Sequence, residues 1–177
     1  MTTTALIETP GLILRTVTLQ DVDNVALTWN LDGTPLSRAE AHARISWMLG
    51  NQLQNGPGKL LYLGLAIIAK DTDEFIGWCG LDRDQDNPVL FYWLKASHRG
   101  KGLATEAARA VLSYAFTELA LIRVNGAAAF ENRASRRVME KIGMEYVGLD
   151  DEGGHSFTQT LEAYWQKRDS ARKESEA

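Results

Sequence analysis

Three β-rich runs in the middle of the chain, Leu60–Ala69, Glu74–Leu81 and Val89–Leu94, follow one another too closely to be joined by crossovers. The turn-rich connectors Lys70-Asp-Thr-Asp73 and Asp82-Arg-Asp-Gln-Asp-Asn-Pro88 are shorter than the dozen residues a parallel return requires, so the runs form an antiparallel meander. Upstream, Leu12–Leu19 reads as a strand after Pro10-Gly11, and Asp21–Asn30 as a short helix. Ser37-Arg-Ala-Glu40 is a capping box, and the helix it opens carries Ala41, Ile45, Met48 and Leu49 at helical spacing. Downstream the period changes. Thr105–Leu119 and Asn132–Ile142 read as helices, Ile122–Ala128 as a strand between them, and Tyr146–Leu149 and Ser156–Leu161 as late strands. Trp165 is the expected last buried anchor, ahead of a polar C-terminal tail over 166–177. The sum is one α/β (α+β) domain over 1–165, a mixed sheet with helices on its faces.

At 177 residues the chain can bury roughly 70% of its unfolded surface, enough for a core without staples. Its 19 basic and 23 acidic residues leave a net charge of −4, which argues against a nucleic-acid partner. The longest apolar run, Leu60–Ala69, is too short to span a bilayer as a helix. Met1-Thr-Thr-Thr has neither the basic nor the apolar region of a secretory signal. A lone Cys79 can close no internal disulfide, and scattered histidines give no metal spacing. The expectation is a soluble cytoplasmic protein with no metal, no nucleic acid and no membrane partner.

The segment with chemical content is Arg99-Gly-Lys-Gly-Leu-Ala104, between the strand ending at Leu94 and the helix that follows. Glycines let main-chain amides turn toward a ligand, and a helix start adds unpaired N–H groups and the positive end of its dipole. Arg99 and Lys101 add full charges, which makes the segment a phosphate cradle. It is not a P-loop, which needs Gly-x-x-x-x-Gly-Lys-Ser/Thr, nor a Rossmann fingerprint, which needs Gly-x-Gly-x-x-Gly in a parallel unit. A plain glycine turn carrying two solvated cations is the competing reading.

The same residues carry a family resemblance. Arg99-x-x-Gly102-x-Ala104 resembles the Arg/Gln-x-x-Gly-x-Gly/Ala signature of the GNAT superfamily of N-acetyltransferases. Thr105-Glu-Ala107, Asn132-x-x-Ser135, Glu140-Lys-Ile-Gly143-Met144, Thr9-Pro-Gly-Leu-Ile-Leu-Arg15 with Asp21, and Phe75-Ile-Gly77 are similar to its RimJ/RimL-like branch. The resemblance covers residues 9–165 and implies a mostly antiparallel sheet, flanked by helices on both faces, that splays open between 89–94 and 122–128. It implies acetyl-CoA as acyl donor and a primary amine, a peptide N-terminus or a small amine, as acceptor, attacked directly in a ternary complex. The main chain of Tyr92 and Leu94 would pair with the pantetheine arm. Arg99, Gly100, Lys101, Gly102, Leu103, Ala104 and Thr105 would hold the pyrophosphate. Asn132 would reach the pantetheine, with Ser135 near the sulfur. A homodimer stays open.

Two departures from the family pattern matter. Residues 132, 135 and 139 share a helix face, and relatives often place a tyrosine acid at the third position, where this chain has Met139. Ser135 is therefore the expected catalytic hydroxyl, with a helix serine bonding its own turn as the alternative. Asn132 also suits an N-cap. Relatives frequently carry a glutamate early in the strand at 89–94, and this chain carries none, leaving Asp82, Glu74 and His155 as candidate bases. At pH 7 a lysine-type amine pays roughly 4.6 kcal/mol to be neutral and an α-amine about 1 kcal/mol, so a site short of a base favours low-pKa amines. A non-catalytic acyl-CoA-binding module is the alternative function. Cys79 reads as a buried sheet residue rather than a nucleophile, and His98 as a contact beside the cradle. Trp29, Trp47, Trp78 and Trp93 read mostly as core, with one or two on an acceptor pocket. Asp82, Asp84 and Asp86 read as a solvated turn.

Overall fold

The computed structural model describes residues 6–30, 34–84 and 87–175. Asp86 of the acidic turn lies outside the described residues. Eight strands form one sheet: β1 (Leu6–Glu8), β2 (Leu12–Thr16), β3 (Leu63–Ala69), β4 (Glu74–Asp84), β5 (Asn87–Leu94), β6 (Arg123–Ala128), β7 (Glu145–Leu149) and β8 (His155–Thr160). Among the described residues, five α-helices accompany them: α1 (Val22–Thr28), α2 (Arg38–Gln52), α3 (Leu103–Thr117), α4 (Arg133–Lys141) and α5 (Leu161–Ser175). The strand order is β1-β2-β3-β4-β5-β6-β8-β7, antiparallel throughout except for β5 beside β6.

The sheet has a core on each face, which explains why all seven residues of β3 are buried and why its sequence runs apolar without alternation. On one face Leu65, Ile67, Leu81 and Leu90 pack with Ala107, Val111 and Leu112 of α3. On the other, Ala66, Ile68 and Trp78 pack with Val25 of α1 and with Ile45 and Met48 of α2. The Ser37–Glu40 capping box forms as expected, the serine Oγ accepting from the Glu40 N–H and a glutamate oxygen accepting from the Ser37 N–H. Between β2 and α1, Arg15 makes paired 2.8 Å hydrogen bonds to both oxygens of Asp21, which also accepts from the Thr18 N–H. The Arg15 and Asp21 positions singled out in the sequence thus lock the second strand to the start of the first helix.

One expectation near the C-terminus needs correction. Trp165 is 42% exposed, and the neighbouring Tyr164 takes the inward place, its ring 5.0 Å from Phe116. The polar tail begins inside α5, which runs on through Ser175 as a mostly exposed helix. Helix periodicity set by Tyr164 places its neighbour Trp165 about a third of a turn off the buried face.

What positions the site is the meeting of β5 and β6. Their parallel pairing covers only Val89 with Asn125 and Leu90 with Gly126, after which the strands part. Tyr92 fills the opening wedge and reaches α4, its hydroxyl 2.7 Å from Ser135 Oγ and 3.1 Å from the Ser135 carbonyl oxygen, to which it can donate.

Candidate acyl-transfer site

The hydrogen-bond phase of β5 follows from one contact. The Lys95 N–H donates to the Ile76 carbonyl while Leu94 stands opposite Gly77, so Lys95, Trp93 and Phe91 aim their main chain at β4. Tyr92 and Leu94 therefore turn their N–H and C=O groups toward the gap beside β6. The Leu94 carbonyl accepts from Arg99 Nε at 2.8 Å, which folds the arginine back over the strand end and fixes where the next loop begins.

That loop is built for close approach. Gly100 and Gly102 sit at φ +76° and +84°, the left-handed region that side chains disfavour, and a Cβ on either would meet nothing within 4 Å. Glycine is needed there for the turn and not for room. Gly102 caps α3, and its carbonyl accepts the Glu106 N–H. Among the described residues, nothing accepts from the main-chain N–H groups of Gly100, Lys101, Gly102, Leu103, Ala104 or Thr105. Such a run of unpaired donors at a helix start is what an oxyanion-rich ligand satisfies. Glu106 stands aside from it, accepting the Gly11 N–H at 2.8 Å and tying α3 to the β1–β2 turn.

Two cavities meet at β5. One, of about 510 Å³, runs from the loop 98–105 along the wedge to Asn132, Ser135 and Val138 of α4. The other, of about 390 Å³, lies on the α1–α2 face between Trp29, Trp47, Tyr62, Trp78, Phe91 and Trp93, with Arg44 and Asp82 on its wall. Tyr92 and Trp93 line both. Asn132 is an N-cap, its side-chain oxygen accepting from the Ser135 N–H at 3.0 Å, and it also borders the first cavity. Ser135 does not bond back into its own helix turn, because its Oγ pairs with Tyr92. Burial raises the Tyr92 phenol above its ordinary value, opposed by the Ser135 hydrogen bond.

The cleft thus brings together Tyr92, Leu94, Arg99, Gly100, Gly102, Leu103, Ala104, Thr105, Asn132 and Ser135, while Lys101 of the same loop does not line it and four others fall elsewhere. Met139 is 1% exposed and points away from the wedge, its sulfur against the backbone of Gly126, where a Cβ would lie 2.7 Å from it. A residue at 139 serves the core under β6. His155 borders neither cavity. Its Nε2 faces Arg136 at 2.9 Å and so accepts, which leaves its proton on Nδ1, 3.3 Å from the Tyr146 hydroxyl. Glu74 is held by Lys95 at 2.9 Å, and that hydrogen bond chiefly lowers its pKa. Cys79 is buried in β4, where burial pushes its thiol far above the usual range and removes it as a nucleophile. Of the three candidate bases, Asp82 alone lines either of these two cavities. The tryptophans were read mostly as core, yet all four line the second cavity, and Trp47 is 45% exposed.

A cradle of free amides at the mouth of a splayed sheet agrees with the sequence match, which runs over residues 11–145 to the Acetyltransferase (GNAT) domain. The chain belongs to the GNAT acetyltransferase family. It is 28% identical over 151 residues to the uncharacterized N-acetyltransferase p20 of Bacillus licheniformis, covering 80% of this chain and 83% of that one. It is 32% identical over 137 residues to the FsC-acetyl coenzyme A-N(2)-transacetylase of Aspergillus fumigatus, covering 72% and 56%. The solved structure of the ribosomal-protein acetyltransferase RimL in complex with coenzyme A shares the fold at a TM-score of 0.75 and 14% identity, over 90% of this chain and 99% of that one. GNAT acetyltransferases use acetyl-CoA, and the partnerless amides of 100–105 beside two left-handed glycines fit its diphosphate. No helix of the described residues is long and apolar enough to cross a membrane, and no cluster of metal-ligating side chains occurs among them.

Arg44 and Tyr62 were not singled out in the sequence. Arg44 carried a weak signal, standing three residues before Trp47 on one helix face. Tyr62 and the hydroxyl of Tyr92 had none, because their partners lie far away in the chain.

Proposed function

We propose that this acetyltransferase moves the acetyl group of acetyl-CoA to a primary amine by direct attack in a ternary complex. The observation that supports it best is the meeting of the two cavities at Tyr92–Trp93, one on either side of one strand, which suits a donor in the first and an acceptor in the second. The amides of Gly100 to Thr105, with Lys101 nearby, would hold the diphosphate, and the gap-facing main chain of Tyr92 and Leu94 would pair with the pantetheine arm as an added strand does. Acetyl-CoA supplies an acyl group already activated as a thioester.

The neutral amine forms the C–N bond at the thioester carbonyl as the C–S bond breaks. One amine proton passes to solvent in the cavity that Asp82 lines, and the departing sulfur takes one. The gap-facing main-chain N–H groups of Tyr92 and Leu94 are the donors for the developing oxyanion. Tyr92 can donate its proton to Ser135 Oγ as the Ser135 hydroxyl protonates the sulfur, and the pair regains its proton from solvent. Asp82 is the acidic group on the acceptor side. Holding amine and thioester together contributes several kcal/mol on the order expected for orientation alone. Cys79 takes no part, so no acyl-enzyme forms.

The test combines thiol release from acetyl-CoA over a panel of amines with a thermal-shift titration of coenzyme A. Saturable stabilisation by coenzyme A, together with amine-dependent thiol release, is the expected result. Failure of coenzyme A to stabilise the protein at millimolar concentration removes the proposal.

A further inference from the structure

Arg44 is a cation inside the acceptor cavity with no anion of its own. Its guanidinium carbon lies 4.6 Å from the centre of the Trp29 ring and 5.7 Å from that of Trp47, so two indoles hold it over their faces. Among the described residues, no carboxylate pairs with it and no side chain hydrogen-bonds it. A guanidinium stacked on aromatic faces keeps its in-plane N–H groups free for two parallel bonds to a carboxylate. Asp82 is the one acidic side chain among the described residues that line the same cavity. Both charges act on the buried Tyr62 phenol: burial chiefly raises it, Asp82 raises it further and Arg44 lowers it. The chamber between them is walled mainly by aromatic rings, with Thr28, Met48 and Gly64 among them, and at about 390 Å³ it lies in the size range of small-molecule sites.

We infer, on the reading of this site as an acetyl-transfer site, that the acceptor is a small amine carrying both an apolar body and a carboxylate. The carboxylate pairs with Arg44 on the indole wall. The apolar body lies against Tyr62 and Phe91. The amine end faces Asp82 and the Tyr92–Trp93 edge, where it meets the thioester and loses one proton as the amide forms. An interior peptide segment brings amides to Arg44 and leaves it without a counter-ion. A free acid supplies one.

The experiment uses the full chain with acetyl-CoA and acceptors in matched pairs, each acid beside its carboxamide: phenylalanine with phenylalaninamide, and 4-(aminomethyl)benzoate with its amide. In the first pair the carboxamide has the less basic amine, so basicity works against the inference. The expected result is a kcat/KM about tenfold or more higher for the acid in at least one pair, the range of a charged hydrogen bond. In Arg44→Gln that ratio collapses toward unity, and in Arg44→Lys it falls between. The coenzyme A thermal shift confirms that each variant is folded. Carboxamides, or a peptide N-terminus, acetylated as well as the acids overturn the inference and leave the acetyl-transfer reading standing. Coenzyme A binding with no turnover of any carboxylate-bearing amine also overturns it. Absence of coenzyme A binding removes the proposed function itself, so the two failures are distinct.

Discussion

The hydroxyls of Tyr92 on β5 and Ser135 on α4 lie 2.7 Å apart across the wedge where the sheet opens. One is on a strand edge and the other on a helix, so the pair exists only because pairing of β5 with β6 stops after Leu90. If the pair delivers the proton to the leaving sulfur, its two members act as one unit. Ser135→Ala and Tyr92→Phe are each expected to lower kcat by about 100-fold, with little change in the KM for acetyl-CoA. The double variant falls hardly further than either single one. Steady-state kinetics at saturating acceptor on the three variants checks this.

The left-handed glycines of the cradle give a second prediction. Gly100→Ala or Gly102→Ala meets no steric neighbour but must hold a positive φ, at a folding cost of about 1 kcal/mol. Gly58, at φ +71° and equally open, carries the same backbone cost away from the cradle. All three variants should lose a few degrees in melting temperature. Only those at 100 and 102 should also bind coenzyme A more weakly, because relaxation of the turn swings the amides away. Calorimetric titration of the three separates backbone strain from ligand contact.

The sequence made the meander and the cradle legible for local reasons. Connectors too short to cross over specify antiparallel pairing, and a glycine pair before a helix specifies a turn with free amides. What it did not show are contacts between distant segments. Met139 shares a helix face with Asn132 and Ser135, yet the small Gly126 beneath it draws it into the core, and helical spacing alone carries no such information. Trp47 and Trp93 have the composition of core residues, but a cavity opens between α2 and β5 and leaves them as its walls. The functional weight of Arg44 emerges only once Trp29, from another helix, is seen beside it.

Cys79 gives a prediction about chemistry that does not occur. Its thiol is fully buried on β4 opposite Tyr92, and burial raises its pKa, so the thiolate is absent at neutral pH. Cys79→Ala should retain its kcat and lose about 1 kcal/mol of stability for the small void. In the unaltered protein a thiol reagent such as a disulfide dye should react only after denaturant is added. Rapid labelling of the native protein together with loss of activity would instead point to a covalent acyl-enzyme.

The Arg15–Asp21 pair predicts how stability depends on pH. Burial alone raises the Asp21 carboxyl, but the Arg15 hydrogen bonds, the Thr18 N–H and the Arg15 charge together outweigh it and hold the pKa below the ordinary value. The folded state therefore binds its proton less readily than the unfolded chain. The resulting stabilisation is fully present above the unfolded carboxylate value, about 3.9, and is lost as pH falls from there through the folded value. Asp21→Asn removes the charge and leaves Arg15 without its partner. The Asp21 side chain is 3% exposed and that of Arg15 30%, so the loss should be about 2 kcal/mol at pH 7, smaller than for a pair buried on both sides. Urea denaturation at pH 7 and at pH 3 measures both proteins. The gap between them should narrow at the lower pH, because the unaltered protein alone loses this stabilisation there. An equal gap at both values would mean that the carboxylate's charge contributes nothing and that only the shape of the side chain matters.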